Sequence, residues 1–153
     1  MSFLKKTVIV IIVVLILTSL FLYRRGTSSQ KITINDTTIF VELAKSPQEK
    51  QKGLSGTRAL PEDHGMLFVF EDNSIPSFWM KDMLISLDLI WITDTKIVQI
   101  DAKVNPPLTG SPDSQLILYS PPVPIDYVLE VNAGFAEKHG IKMGDIVDST
   151  GIK

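Results

Sequence analysis

Short apolar and β-branched runs, separated by turn-forming residues, dominate the chain after residue 30. The runs KITIN and TTIFVELA flank Asn35 and Asp36, and this arrangement predicts a β-hairpin. A continuous apolar run over residues 65–70 is short enough to be a buried strand. Residues 85–92 are apolar on both faces of an extended chain, which is typical of a central strand. The first half of this region is therefore predicted to be mostly β.

The second half continues the same pattern. KIVQIDAKV follows the turn residues Asp94 and Thr95 and is predicted to return as a hairpin strand. QLILYS, DYVLEVNAG and KMGDIVD each predict a further strand. Helices are predicted only at SPQEKQKGL, where Ser46 and Glu49 form a capping box, and at AGFAEKHG. We expect a mostly β (α+β) domain, a compact barrel-like sheet of about eight short strands with two short helices and no regular helical crossovers.

The N-terminus has a different character. Residues 7–23 carry no charge, and as a helix they would measure about 25 Å, close to the ~30 Å hydrocarbon layer of a bilayer. Lys5, Lys6, Arg24 and Arg25 flank this run and are suited to reach the lipid headgroups. We therefore predict one N-terminal transmembrane helix that precedes the globular domain, with residues 1–30 as membrane anchor and tether and residues 31–153 as the domain.

A cleaved signal peptide is the alternative interpretation of the N-terminus. Gly26 and Ser28 imitate a cleavage site, but two arginines separate them from the apolar run. Basic residues balance on the two sides of the span, so its orientation is inferred from the short N-terminal segment and the free amine. The expected location is the cell membrane, single-pass, with the domain outside the cytoplasm.

Charge and composition exclude several classes of function. Without Lys5, Lys6, Arg24 and Arg25, 11 of the 15 basic residues remain against 17 acidic ones, a formal charge of −6 that argues against nucleic acid as a partner. The chain has no cysteine, so disulfides and zinc–thiolate sites are excluded. No phosphate-binding loop, dinucleotide motif or metal-ligand spacing occurs, and we expect neither a cofactor nor a metal.

Charged residues inside apolar sequence are the first candidates for a site. FWMKDM, predicted to be a short extended segment, holds Lys81 and Asp82, and the following central strand holds Asp88. An ionised carboxylate at that depth requires a partner. Asp88 is interpreted either structurally, as an ion pair with Lys81 or as an acceptor for backbone amides, or as a polar group that lines a pocket. The structural interpretation is the more common outcome for such groups.

The remaining candidates are His64, Trp79, Glu130 and Asn132. Alternation along DYVLEVNAG places Glu130 and Asn132 on one face of a strand, which we expect to be a solvated face. His64 is expected in an exposed turn. Trp79 lies beside Lys81, and an aromatic ring next to a cation suits a ligand platform.

Four segments together resemble the family called domain of unknown function 192: residues 52–54, 60–70, 78–92 and 127–147. The resemblance implies a small, single-domain, mostly β fold, often found behind a signal peptide or anchor, and it implies no activity. The family's FWMKNT-like motif corresponds to residues 78–83, where Asp82 and Met83 replace asparagine and threonine. Its Pro-Leu-Asp step corresponds to residues 86–88, where Ser86 replaces the proline and the aspartate is kept.

Three functions follow from these observations. The first is a membrane-tethered extracytoplasmic module that binds a small polar ligand or an envelope polymer. The second is a hydrolase that uses Asp88 or Asp82 with His64 or Lys81 as acid and base. The third is an accessory factor for envelope protein assembly that acts through the proline-rich loop over residues 105–112. An enzyme requires its polar groups to converge in one concavity.

Overall fold

The computed structural model describes residues 9, 11–13 and 30–152, and within them the fold is mostly β. The strands are β1 Gln30–Ile34, β2 Thr37–Ala44, β3 His64–Ser74, β4 Leu87–Thr93, β5 Lys96–Val104, β6 Ile125–Asn132 and β7 Val147–Asp148. The helices of the domain are α1 Pro47–Lys52, α2 Phe135–Lys138 and one 3-10 turn, Asp113–Gln115. The mostly β class and the two short α-helices are thus confirmed.

All seven strands form one curled, half-barrel sheet in the order β5-β4-β6-β3-β2-β1-β7. The two ends of this order approach each other, because Lys96 at the start of β5 forms an isolated bridge with Ile146 next to β7. Neighbouring strands are antiparallel except β2 and β3, which run parallel. A parallel pair needs a crossover connection, and α1 lies in it. The described sheet thus has one helical crossover, which is not the regular series of crossovers that the sequence argued against.

The two faces of the sheet carry separate apolar cores. One core takes side chains from all seven strands and from α2, so it fills the inside of the curl. The other core lies between the opposite face of β3, β4 and β6 and the segments that carry Leu54, Met80 and Met83. Strand β4 supplies both, with Ile90 and Ile92 in the first and Leu87, Leu89 and Trp91 in the second. Its prediction as a central strand is confirmed, since six of its residues are buried.

The structure corrects the predicted strand count from about eight to seven. QLILYS is not a strand: its Tyr119 makes only an isolated bridge, to Phe78. Prolines 121, 122 and 124 follow it, and a proline has no N–H to donate to a ladder. FWMKDM is not continuously extended either, because the chain turns at residues 81–82 and Asp82 adopts a φ of 56°. Left-handed backbone at Asp82 ends the extended segment.

The membrane span predicted over residues 7–23 lies largely outside the described residues. The four of its residues that are described, 9 and 11–13, are helical. In the part of the chain that the structure describes, no helix has the length and apolar character needed to cross a bilayer. The anchor, and with it the division at residue 30, stays a prediction from the sequence.

Candidate functional site

Helix α1 brings cationic side chains over one face of the sheet. Its start is fixed by a capping box: the Ser46 hydroxyl accepts from the backbone N–H of Glu49, and the Glu49 carboxylate accepts from the backbone N–H of Ser46. Pro47 occupies the first turn, where its missing N–H has no cost. The helix ends at Gly53, whose φ of 48° and ψ of −138° suit glycine. Lys50 and Lys52 lie in this last turn.

Strand β6 brings an acid to the same face. Glu130 lies directly opposite Met66 on β3 and Leu89 on β4, so its neighbours across both ladders are apolar. Only 5% of Glu130 is exposed, and its Oε2 has no hydrogen-bond partner among the described residues. Burial in these surroundings raises the pKa of Glu130 to about 8, because desolvation disfavours the charged carboxylate. Near neutral pH the group is therefore mostly a neutral acid that can donate a hydrogen bond.

A cluster of aromatic rings lies on the same face of the sheet. Phe78 contacts Phe68 edge-on at 4.8 Å between centroids and Trp91 at 5.4 Å, and its bridge to Tyr119 fixes its backbone. Phe70 lies 6.3 Å from Phe78. These distances are typical of favourable aromatic pairs, so the rings form a fixed wall.

The acid, three of the rings and the end of α1 line a cavity of about 150 Å³ that opens to solvent. We call it the Glu130 cavity, and its principal lining residues are Lys50, Lys52, Gly53, Phe68, Phe70, Phe78, Trp79, Met83 and Glu130. A cavity of about this volume holds a benzene-sized group. Gly53 keeps it open, since a Cβ there would lie 3.2 Å from the Phe68 ring. An aromatic wall beside a buried acid that lacks a hydrogen-bond partner is typical of a ligand site.

Two of the candidates predicted from the sequence meet at this cavity. Trp79 lies at the mouth with 45% of its surface exposed, and Glu130 lies inside. The expectation that Glu130 faces solvent is wrong, because α1 and the segment around Phe78 cover its side of β6. Lys81 stands 5.8 Å from the Trp79 ring, but its ammonium pairs with Asp113.

Asp88 has a different environment. It is fully buried, and its carboxylate accepts from the backbone N–H of Lys103 at 2.7 Å, Gly134 at 3.0 Å and Ala136 at 2.9 Å. These donors come from the bulged ladder of β5 and the first turn of α2. Of the two sequence interpretations, the structure shows the acceptor for backbone amides: Asp88 ties α2 to the sheet and does not pair with Lys81.

The last three candidates lie elsewhere. His64 begins β3 instead of lying in a loop, and its ring contacts the Asp63 carboxylate and the Phe40 ring. The Asn132 amide donates to the carbonyls of Leu60 and Pro61 and so holds a loop. Asp82 is exposed, and its contribution is a backbone carbonyl that accepts from Gly56.

The positions of the candidate acid and base groups argue against the alternative that the protein is a hydrolase. None of its four groups, Asp88, Asp82, His64 and Lys81, lines the Glu130 cavity. Sequence reasoning also missed cavity residues: Lys50, Lys52, Phe68 and Phe70 were not candidates. The sequence around the two lysines predicted the end of a helix, and the sequence around the two phenylalanines predicted a buried strand. No sequence pattern indicates that these two elements contact β6.

Fold and site together define a class: a small, mostly β domain with a curled seven-stranded sheet and an aromatic-lined cavity beside a buried acid. The family model of DUF192, "Uncharacterized ACR", matches residues 30–149. This chain belongs to the DUF192 family, and the resemblance recognised in its sequence is confirmed. No curated protein matches it at a significant level.

Two solved structures share the fold. One, from Sinorhizobium meliloti 1021, is provisionally described as a transcription regulator. It is 28% identical over 82% of this chain and 97% of its own, with a TM-score of 0.73. The other, a protein of unknown function from Novosphingobium aromaticivorans DSM 12444, is 30% identical over 77% of this chain and 83% of its own, with a TM-score of 0.69. Neither description names a reaction or a ligand.

Proposed function

We propose that this domain is a binding module whose ligand inserts a ring-sized apolar group, bearing a hydrogen-bond acceptor, into the Glu130 cavity. The observation that carries the proposal is the unpartnered, buried Glu130 carboxyl beside a fixed aromatic wall. Leaving a buried polar group without a partner costs roughly 1–3 kcal/mol, and a ligand carbonyl or hydroxyl would remove that cost.

Binding suits this cavity better than catalysis. A hydrolytic site needs a nucleophile or a second acid–base group near the first. Among the lining residues the ionisable groups are Glu130, Lys50 and Lys52, and the lysines lie in the last turn of α1. The lining also holds two hydroxyls, but Ser55 donates to a backbone carbonyl and Ser77 bonds to the Ser120 hydroxyl, so neither is hydrogen-bonded to a general base. A neutral acid in an apolar cavity is suited to recognise an acceptor.

The test is a pair of probes that differ in one acceptor. Acetophenone and its near-isostere ethylbenzene are titrated into the full-length chain, and binding is followed by NMR at the amides of Gly53 and Met83. The ratio of the two affinities is then measured in Glu130→Leu, which keeps the volume and removes the donor. We expect the preference for acetophenone to fall about tenfold, the value of one hydrogen bond near 1.4 kcal/mol.

Glu71→Leu is the matched control, since Glu71 is an exposed residue of β3 outside the cavity lining. It should leave the ratio unchanged. If excess acetophenone leaves the amide signals of Gly53 and Met83 unperturbed, the proposal is wrong. An unchanged ratio in Glu130→Leu would also contradict it.

We further propose that the module is anchored by residues 7–23 with its domain outside the cytoplasm. The apolar run and its flanking charges support the anchor, and the short N-terminal segment with its free amine supports the orientation. Because the chain lacks cysteine, single-cysteine variants report topology without background. In intact cells, a membrane-impermeant maleimide should label Lys142→Cys and spare Ser2→Cys. The reverse pattern would overturn the orientation, and loss of the N-terminus from the mature chain would overturn the anchor.

A further inference from the structure

The mouth of the Glu130 cavity is positively charged. Lys50 and Lys52 line it, and neither forms an ion pair within the described part of the chain. The Lys50 ammonium lies 4.4 Å from the centroid of the Phe70 ring, so it stands directly over one wall of the cavity. The two ammonium groups are therefore available to a ligand that occupies the cavity.

Within the described residues, the nearby acids do not form ion pairs with these lysines. Glu49, the acid of α1, is held in the capping box by the backbone N–H groups of Lys45 at 3.0 Å and Ser46 at 2.8 Å. Asp113 pairs with Lys81, the cation that lies near the Trp79 ring. Among the described lining residues the remaining acid is Glu130, which is buried and neutral near pH 7.

Polarity thus changes with depth in the cavity. A hydrogen-bond donor lies inside at Glu130, aromatic rings form the wall, and two cations lie at the mouth. An aromatic wall alone also suits an organic cation. Here the two lysines would repel a cation on its way in, and the neutral acid offers it no compensating charge.

We infer that the ligand is an anionic amphiphile: a ring-sized apolar body with a carbonyl or hydroxyl at its inner end and a carboxylate or phosphate at its outer end, beside Lys50 and Lys52. This inference rests on the proposed function of the cavity. It adds the charge and the polarity of the ligand, which the cavity volume and Glu130 do not define.

A charge series with one apolar body tests it: 4-acetylbenzoate, the neutral 4-acetylbenzamide, and the cation of 4-acetylbenzylamine. Each is titrated into the full-length chain at pH 7 and low salt, with acetophenone as the uncharged reference. Partly exposed ion pairs contribute about 0.2–1 kcal/mol, so we expect each lysine to favour the anion over the amide by roughly 1.4-fold to fivefold. The cation should bind most weakly, and added salt should reduce the preference for the anion.

Lys50→Gln and Lys52→Gln should each weaken 4-acetylbenzoate and leave 4-acetylbenzamide unchanged. Lys31→Gln, an exposed lysine outside the cavity lining, is the matched control and should alter neither. If acetophenone binds but the anion is no tighter than the amide, this inference is overturned while the cavity proposal stands. If the lysine variants weaken both ligands equally, the inference is likewise overturned. Failure of acetophenone to bind overturns both.

Discussion

Glu130→Gln exchanges the buried acid for an amide of nearly the same shape that does not titrate. In the wild type the pKa rises from its ordinary value of 4.5 in the unfolded chain to about 8 in the folded domain. Between these two pH values Glu130 therefore keeps its proton in the folded state and has released it in the unfolded state. The carboxyl stabilises the fold fully below pH 4.5, and this contribution is lost as the pH rises through about 8.

The magnitude follows from the two pKa values. Each pH unit between them changes the free energy of unfolding by about 1.4 kcal/mol, and the whole interval by about 5 kcal/mol. Between pH 5 and pH 9 we expect wild type to lose about 4 kcal/mol relative to Glu130→Gln. All other ionisable groups are common to both proteins, so their contributions cancel in this difference.

Urea denaturation of both proteins at several pH values measures this difference directly. Burying the glutamine amide has its own cost, which offsets the free energy of unfolding of Glu130→Gln from that of wild type by the same amount at every pH. The measured quantity is therefore how the difference between the two free energies changes with pH. Glu71→Gln, at an exposed position, is the control and should run parallel to wild type. If wild type and Glu130→Gln stay parallel within about 1 kcal/mol from pH 5 to pH 9, the burial of an unpartnered acid is refuted.

Three further substitutions test the packing, each by its free energy of unfolding in urea. Asp88→Ala leaves one buried and two partly buried N–H groups without an acceptor, so we expect a loss of roughly 3–5 kcal/mol, larger than for Glu130→Ala; equal losses would contradict the role of Asp88. Gly65→Ala places a Cβ 2.6 Å from the backbone oxygen of Glu130, and a loss below about 1 kcal/mol would contradict that close approach. Ser46→Ala removes the N-cap of α1 and should cost about 1 kcal/mol, while an unchanged stability would argue against the cap.

Much of the sheet was predictable because its signals are local. The run over residues 96–104 gave β5 with the bounds that the structure shows, since its turn and its β-branched residues are adjacent in sequence. The capping box of α1 was also read from residues three apart. QLILYS failed as a strand because pairing needs a partner edge, and apolar composition does not supply one.

The site was less predictable than the fold. Asp88 and Glu130 both lie among apolar residues of strands, and sequence spacing ranked Asp88 as the deeper group. Both are buried, but three backbone donors satisfy Asp88 and none satisfies Oε2 of Glu130 among the described residues. The difference depends on donors from β5 and α2, which no pattern within β4 or β6 reveals.

The sequence by itself determined the strand periodicity, the helix caps, the charge balance and the family, because each depends on residues close together in the chain or on simple counts. Only the tertiary structure decided that α1 and the Phe78 segment cover the Glu130 face of β6. Alternation along a strand tells which side chains share a face, and desolvation depends on what packs on that face. Those atoms come from distant parts of the chain, so the acid's neutral state and its cavity arise only when the sheet is assembled.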